Sequence, residues 1–435
     1  MSDTHEFLQG GETERLTPLN VGVLPSDWSA GFMDEICSST NNGFVGKSLP
    51  HQVPNGDGVT YIQGFNVREN RIDLTNCANV TREFAEKQTK AKLLEGDLLT
   101  VQSGHIGTVA VVPSHLDGAS CHALIISRPD RTRVCPHYVA YYLNSTRGQR
   151  RLRGLHVGST IKHINTSELA RFRIALPPLP EQKKIAEILS TCDEAIEKTG
   201  ALIDAKKRQK KALMQQLLTG KKRLPGFEGG SRRTEYRFFD LPSDWGCPHV
   251  REVAQEHSER NGVSDSHTVL ACSKHLGFVE SKTYFKKQVF SENTANYKVV
   301  RRGWFGFPSN HVEEGSIGLL STHDSGIVSP IYCVFETSSR IVPDYLYAVF
   351  KSETFRHIFS VTTNASVDRR GSLRWDAFSS IRVPCPTVEE QRAIASVNKT
   401  AEYEIGILQE KLAALKQQKK ALMQKLLTGQ VRVKV

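Results

Sequence analysis

The segment NNGFVGKS, residues 41–48, ends like a phosphate-binding loop, with Gly46, Lys47 and Ser48 in the order that cradles and charge-matches a nucleotide. That chemistry needs a glycine where Asn41 stands, and a following helix whose N-terminus faces the phosphate. Pro50 and Pro54 break any such helix. A metal-dependent nuclease could begin at Pro129-Asp130, but residues 131–160 contain no acid. After Pro343-Asp344, neither Glu353 nor Asp368 has a lysine two positions on, so a carboxylate pair for Mg²⁺ is missing in both places. LPPLP, residues 176–180, lacks the amide and the aromatic of an adenine-methyltransferase loop. The histidines, among them His105, His122, His137, His156, His163 and His311, show neither HExxH nor HxxxH spacing. The chain reads as non-catalytic.

Composition narrows the partners. The sequence has 435 residues, which is too long for one core and fits two to four domains. It carries 57 Lys and Arg against 46 Asp and Glu, a formal net charge of +11. From Arg128 to Arg173 ten cations meet only two acids, Asp130 and Glu168, a density that points to a phosphate-facing surface. Nine scattered cysteines without a CxxC pair read as reduced thiols of a cytoplasmic protein. No apolar run is long enough for a membrane span, so no membrane partner is expected.

The elements that would position any site come in two copies. Residues 181–220 align without a gap on 390–429, with 19 identities in 40 positions, beginning on Glu-Gln and closing on Leu-Thr-Gly. LPSDW occurs at 24–28 and again at 241–245. Alternating steps of four and three residues along the first copy reach Ile185, Leu189, Cys192, Ile196, Thr199, Ile203, Lys206, Lys210, Leu213 and Leu217. The same register in the second reaches Ile394, Asn398, Ala401, Ile405, Leu408, Leu412, Leu415, Lys419, Leu422 and Leu426. This is a coiled-coil seam with polar interruptions. Pro180-Glu181 and the Thr387–Glu390 box signal helix starts, and Gly220 and Gly429 signal stops.

Between these helices lie two dissimilar modules of short apolar runs punctuated by Gly, Asn and Pro, which read as β-rich with a few helices. The expected organisation is an N-terminal arm (1–21), a first module (22–175), a central helix (176–223), a connector (224–240), a second module (241–384) and a C-terminal helix (385–435). One helix leads away from the first module and the other leads back from the second, so their pairing is expected to be antiparallel. The fold class is α+β: two β-rich domains joined by two long antiparallel coiled-coil helices with pseudo-two-fold symmetry. Two different modules on matched helices can read two short DNA sequences with unread base pairs between them, while the helices offer one partner the same surface twice.

At the residues IALPPLPEQKKIAEILSTCDEAI and KKALMQQLLTGKKRLPGF, echoed by IRVPCPTVEEQRAIASV and KKALMQKLLTG, the sequence closely resembles the specificity (S) subunits of type I restriction–modification systems. The resemblance implies two target recognition domains, each reading one half of a bipartite asymmetric site in double-stranded DNA. It implies two methyltransferase (M) subunits carrying S-adenosylmethionine and two restriction (R) subunits using ATP and Mg²⁺, with no cofactor in this chain. The seam leucines and isoleucines would serve helix pairing or M-subunit docking. The second copy departs from the family's LPEQ start, with Thr387-Val388-Glu389 in place of Pro178-Leu179-Pro180.

Base reading needs side chains that offer donors and acceptors together, or arginine for guanine. In the first module Gln63, Asn66, Arg68, Ser103, His105, Ser159, Lys162 and His163 are candidates; in the second, Ser309, Asn310, His311, Arg369, Arg370 and Arg374. Arg147, Arg150, Arg151 and Arg153 are expected to contact phosphates, which position without specifying. A stand-alone DNA-binding regulator, a coiled-coil scaffold and an active methyltransferase or nuclease are the rival classes. They are distinguished, respectively, by tight binding without M, by no sequence-specific DNA binding, and by activity of the chain alone.

Overall fold

The computed structural model describes residues 17–19, 21–154, 163–229, 232–262, 267–310, 312–364 and 372–434. The chain divides into two compact units, one of residues 1–200 with 410–435, the other of residues 201–409. Each unit therefore takes one module and one part of each long helix.

In the first unit, β1 (Ser29–Phe32) leads to β2 (Cys37–Asn42), which lies at the edge of a four-stranded sheet completed by β3 (Leu98–Val101), β4 (Val109–Val111) and β5 (Leu124–Pro129). The spatial order is β4-β3-β5-β2, antiparallel throughout. A second small sheet runs in the order Ser120–Cys121, Val59–Ile62, Ala78–Val80, Gln52–Val53. Pro136 opens α1 (Pro136–Asn144), and Ser145 caps α2 (Thr146–Arg153) by accepting from the Gly148 N–H at 3.0 Å. The chain returns through β6 (Arg173–Leu176), paired with β1, into α3 (Leu179–Leu217).

The second unit repeats this order. β7 (Ala254–His257), β8 (Phe305–Pro308), β9 (Gly318–Leu319) and β10 (Tyr332–Thr337) form a sheet in the order β7-β10-β8-β9, the counterpart of β2-β5-β3-β4. Pro343 opens α4 (Pro343–Phe350), α5 (Glu353–Asn364) follows, and α6 (Val388–Leu426) closes the fold. The Thr387 hydroxyl caps α6, accepting from the Glu390 N–H at 3.3 Å. The Glu390 carboxylate does not return to complete a capping box, because Arg223 and Trp245 take it.

Helix ends are rooted in the module cores. Ile185, Leu189 and Leu426 are buried with Trp28, Tyr138 and Ile174 in the first unit. Leu217, Leu218 and Ile394 are buried with Trp245, Phe335 and Tyr345 in the second. Within each unit the two helical segments run antiparallel: in the second, Lys206 pairs with Glu404 at 2.8 Å while Lys210 pairs with Glu402 at 2.6 Å, so one helix ascends as the other descends. No helix among the described residues is long and apolar enough to cross a membrane.

Candidate nucleic-acid interface

In the first module the strand ends and loops that carry candidate residues converge on one edge. β3 runs into the turn 102–108, where Gly104 (φ +77°) and Gly107 (φ +80°) adopt the left-handed region. Ser103 and His105 are exposed on this turn. The Ile164 N–H donates to the Gln102 carbonyl at 3.3 Å, which brings the partly buried His163 beside it. From the other side Gln149 of α2 donates to the Gly107 carbonyl at 2.5 Å. That contact sets α2 against the turn with Arg150 and Arg153 exposed. The turn carrying Gln63 lies close to β3, since a Cβ on Gly64 would meet Val101 at 3.6 Å. Ser159 and Lys162 lie outside the described residues.

Three further candidates are engaged within their own module. Asn66 is fully buried, accepting from the Gln63 N–H at 3.0 Å and donating to the Asp73 carbonyl at 2.8 Å, so its amide locks a turn and is out of reach of a base. Arg151 lies over the Phe172 ring, 4.4 Å from its centroid, and donates to the Tyr142 hydroxyl; desolvation lowers the pKa of its guanidinium. Arg147 is half-buried, its guanidinium packed against Gly22, where it leaves no room for a Cβ. Sequence alone cannot separate these from Arg150 and Arg153, because all four share one polar helix and only packing decides which faces the core. Arg68 is exposed, 3.9 Å from Asp73.

The second module builds the same edge from other residues. β8 runs into Ser309 and Asn310, and the Leu373 N–H donates to the Ser309 carbonyl at 2.7 Å, the counterpart of the Ile164–Gln102 bond. Asn310 and Arg374 are exposed and Ser309 is half-buried. His311, Arg369 and Arg370 lie outside the described residues.

Each unit also holds a junction in which the repeated anchors meet. In the first unit Trp28 Nε1 donates to Glu181 Oε2 at 3.1 Å, and Arg432 grips both Glu181 oxygens at 2.8 and 2.9 Å. Arg432 also takes both oxygens of Asp27, at 2.9 and 2.6 Å. The Arg432 hydrogen bond holds the Asp27 carboxyl below the usual carboxylate range. In the second unit Trp245, Glu390, Arg223 and Asp244 repeat the arrangement, with Trp245 Nε1 at 3.2 Å from Glu390 and Arg223 at 2.5 and 2.7 Å. The neighbouring glutamines match as well: Gln182 Oε1 accepts from the Cys135 N–H, and Gln391 Oε1 from the Val342 N–H. Gly220 (φ +61°) and Gly429 (φ +72°) end the helices against Pro242 and Pro25, each 2.5 Å from where a Cβ would stand. The two arginines escaped the sequence reading; the available signal was that each lies three residues beyond a Leu-Thr-Gly.

Every position of the predicted seam is buried or half-buried. In the first unit these are Ile185, Leu189, Ile196, Leu412, Leu415, Leu422 and Leu426, joined by Lys419 in an ion pair with Asp193. In the second they are Ile203, Leu213, Leu217, Ile394, Ile405 and Leu408. The large apolar side chains left exposed on these helices lie off the seam: Leu202 (45 %), Tyr403 (72 %) and Ile407 (47 %).

Two β-rich units, each with its own antiparallel pair of helical segments, equivalent loop edges and equivalent junctions, define a duplicated scaffold. The family described as type I restriction modification DNA specificity domain matches residues 25–205. The type I restriction enzyme MjaX specificity subunit of Methanocaldococcus jannaschii is 26% identical over 98% of this chain and 99% of its own length. The MjaVIII specificity subunit of the same organism is 27% identical over 64% of this chain and 66% of its own. A crystal structure of the type I restriction-modification S subunit from M. genitalium shares the fold, with a TM-score of 0.57 at 15% identity, covering 95% of this chain and 99% of that one. The chain is thus similar over residues 25–205 to the type I restriction modification DNA specificity domain, and over nearly its whole length to a type I restriction enzyme specificity subunit.

Proposed function

We propose that this chain is the non-catalytic DNA sequence-recognition subunit of a type I restriction–modification enzyme. Each module reads one half of a bipartite, asymmetric site through the edge formed by the 102–108 turn and His163 in one case, and by Ser309, Asn310 and Arg374 in the other. The observation that carries the reading is the contrast between edges and junctions: the edges share backbone bonds but not residues, whereas the junctions repeat residue for residue. Arg150 and Arg153 neutralise phosphates beside the first edge.

The helices hold the two modules at a set spacing and receive the methyltransferase subunits. Because the seam side chains are consumed by pairing, the docking surface lies on outer faces, where Leu202, Tyr403 and Ile407 are exposed. Two repeated units call for two M subunits, which bring S-adenosylmethionine; two R subunits, which bring ATP and Mg²⁺, complete a cytoplasmic restriction enzyme. Replacing residues 246–383 by the corresponding module of a related subunit tests this. Mapping of methylated adenines is expected to show one half of the motif changed and the other retained; a change in both halves, or in neither, refutes modular reading.

A further inference from the structure

Gln102 is only 4 % exposed, yet its Nε2 donates outward to Oδ1 of Asn42, an exposed residue at the last position of β2. Both partners stand on rigid backbone. Asn42 is paired in the sheet with Ile125. The next residue, Gly43, donates its N–H to the Leu124 carbonyl at 2.8 Å, and a Cβ there would come within 2.5 Å of Cys121 Sγ. Gln102 directly follows β3 in the turn that carries Ser103 and His105, and its carbonyl accepts from Ile164. An exposed asparagine gains little stability from such a brace, since water satisfies its amide equally well. What the brace sets is the direction in which the amide points.

With Oδ1 turned to Gln102, the Nδ2 donors and the second lone pair of Oδ1 face solvent, and no hydrogen bond among the described residues uses Nδ2. A donor beside an acceptor on one rigid amide matches the major-groove edge of adenine, whose N7 accepts and whose N6 amino group donates. We infer that Asn42, oriented by Gln102, reads an adenine in the half-site of the first module. Asn42 is the base-contacting residue and Gln102 its positioning residue. The inference rests on the DNA-recognition reading above and places a specificity determinant in the segment whose resemblance to a nucleotide-binding loop is broken by Asn41 and Pro50. Preorganised amides on strand ends lose less on binding than amides on free loops.

The test is modification mapping with the complete complex of this chain and its methyltransferase subunits, acting on a pool of duplexes randomised across the target. The wild-type motif is expected to contain an adenine at one position of the first half-site that depends on Asn42. Asn42→Ala is expected to reduce preference there roughly ten- to hundredfold and leave every other position unchanged. Asn42→Asp, which can only accept, is expected to move that position toward cytosine, whose N4 donates. Gln102→Glu keeps the volume but cannot donate to Oδ1; it is expected to relax the same single position. If Asn42→Ala does not fold, the two near-isosteric variants carry the test. A bipartite wild-type motif that stays identical in all variants, or one that weakens uniformly with a lower melting temperature, overturns the inference alone. A wild-type complex with no bipartite motif overturns the recognition reading itself.

Discussion

Arg150 and Arg151 are neighbours of identical chemistry, yet one faces solvent and the other stacks on Phe172. Replacing Arg150 and Arg153 together by alanine removes two phosphate partners, so the log–log salt dependence of DNA binding should become shallower by about 2, with the motif intact. Arg151→Ala should instead lower thermal stability at an unchanged salt slope. Titration of binding between low and moderate salt, alongside melting curves, separates the two outcomes. Arg432 neutralises Glu181, which is 3 % exposed, and its loss leaves that carboxylate short of its cation. Arg432→Ala is expected to destabilise the first unit by about 3 kcal/mol in denaturant unfolding. The Arg432–Asp27 contact also carries a pH signature. Because the folded Asp27 carboxyl titrates below its ordinary value of 3.8, its stabilisation is complete above that value and is lost as pH falls through the lower folded value. In Asp27→Asn that part of the acid dependence should vanish.

At the scale of elements, the seam explains why two helices of limited amphipathicity stay paired. Its Ile and Leu side chains are buried or half-buried, and the lysines in the seam meet acids across it: Lys206 with Glu404, Lys210 with Glu402, Lys419 with Asp193. The last two pairs are the same contact in the two repeats, since Lys210 matches Lys419 and Asp193 matches Glu402 in the alignment. A heptad preserves such a seam, so seven residues inserted after Gly200 and seven after Gln409 should lengthen each helix by about 10 Å and leave the pairing intact. Methylation mapping should then show both half-sites unchanged and a longer unread spacer. An unchanged spacer would show that the helices do not set the distance.

For the whole molecule, the junctions explain the duplication. Asp27, Trp28 and Glu181 are met by Gly429 and Arg432, and residues 1–225 carry their own equivalents of these, Gly220 and Arg223. A half-chain of residues 1–225 should therefore pair with a second copy, each copy's Arg223 entering the other's Asp27–Glu181 site, in a closed two-fold dimer. Supplied with M subunits it should methylate a palindrome built from the first half-site, and Arg223→Ala in that half-chain should abolish both dimer and methylation. A half-chain that remains monomeric with M present, or that methylates a non-palindromic site, would contradict this.

Repetition and periodicity are local properties, and so the duplicated plan, both helices, their seam and their glycine stops were all legible in the sequence. The β-rich character of the modules was legible for the same reason, because alternation, β-branching and turn residues act within a few residues. What the tertiary structure decided involves residues far apart in the chain. Only packing buries Asn66 and sets Arg151 on the Phe172 ring while leaving Arg150 exposed, and only the antiparallel pairing carries Arg432 to Asp27, 405 positions away. The same holds for Asn42 and Gln102, joined across 60 residues by strands that neither residue specifies. A side chain's type sets the bonds it can make, but its partner depends on the register and packing of whole elements, and those are fixed by the sum of many apolar contacts rather than by the residues at the site.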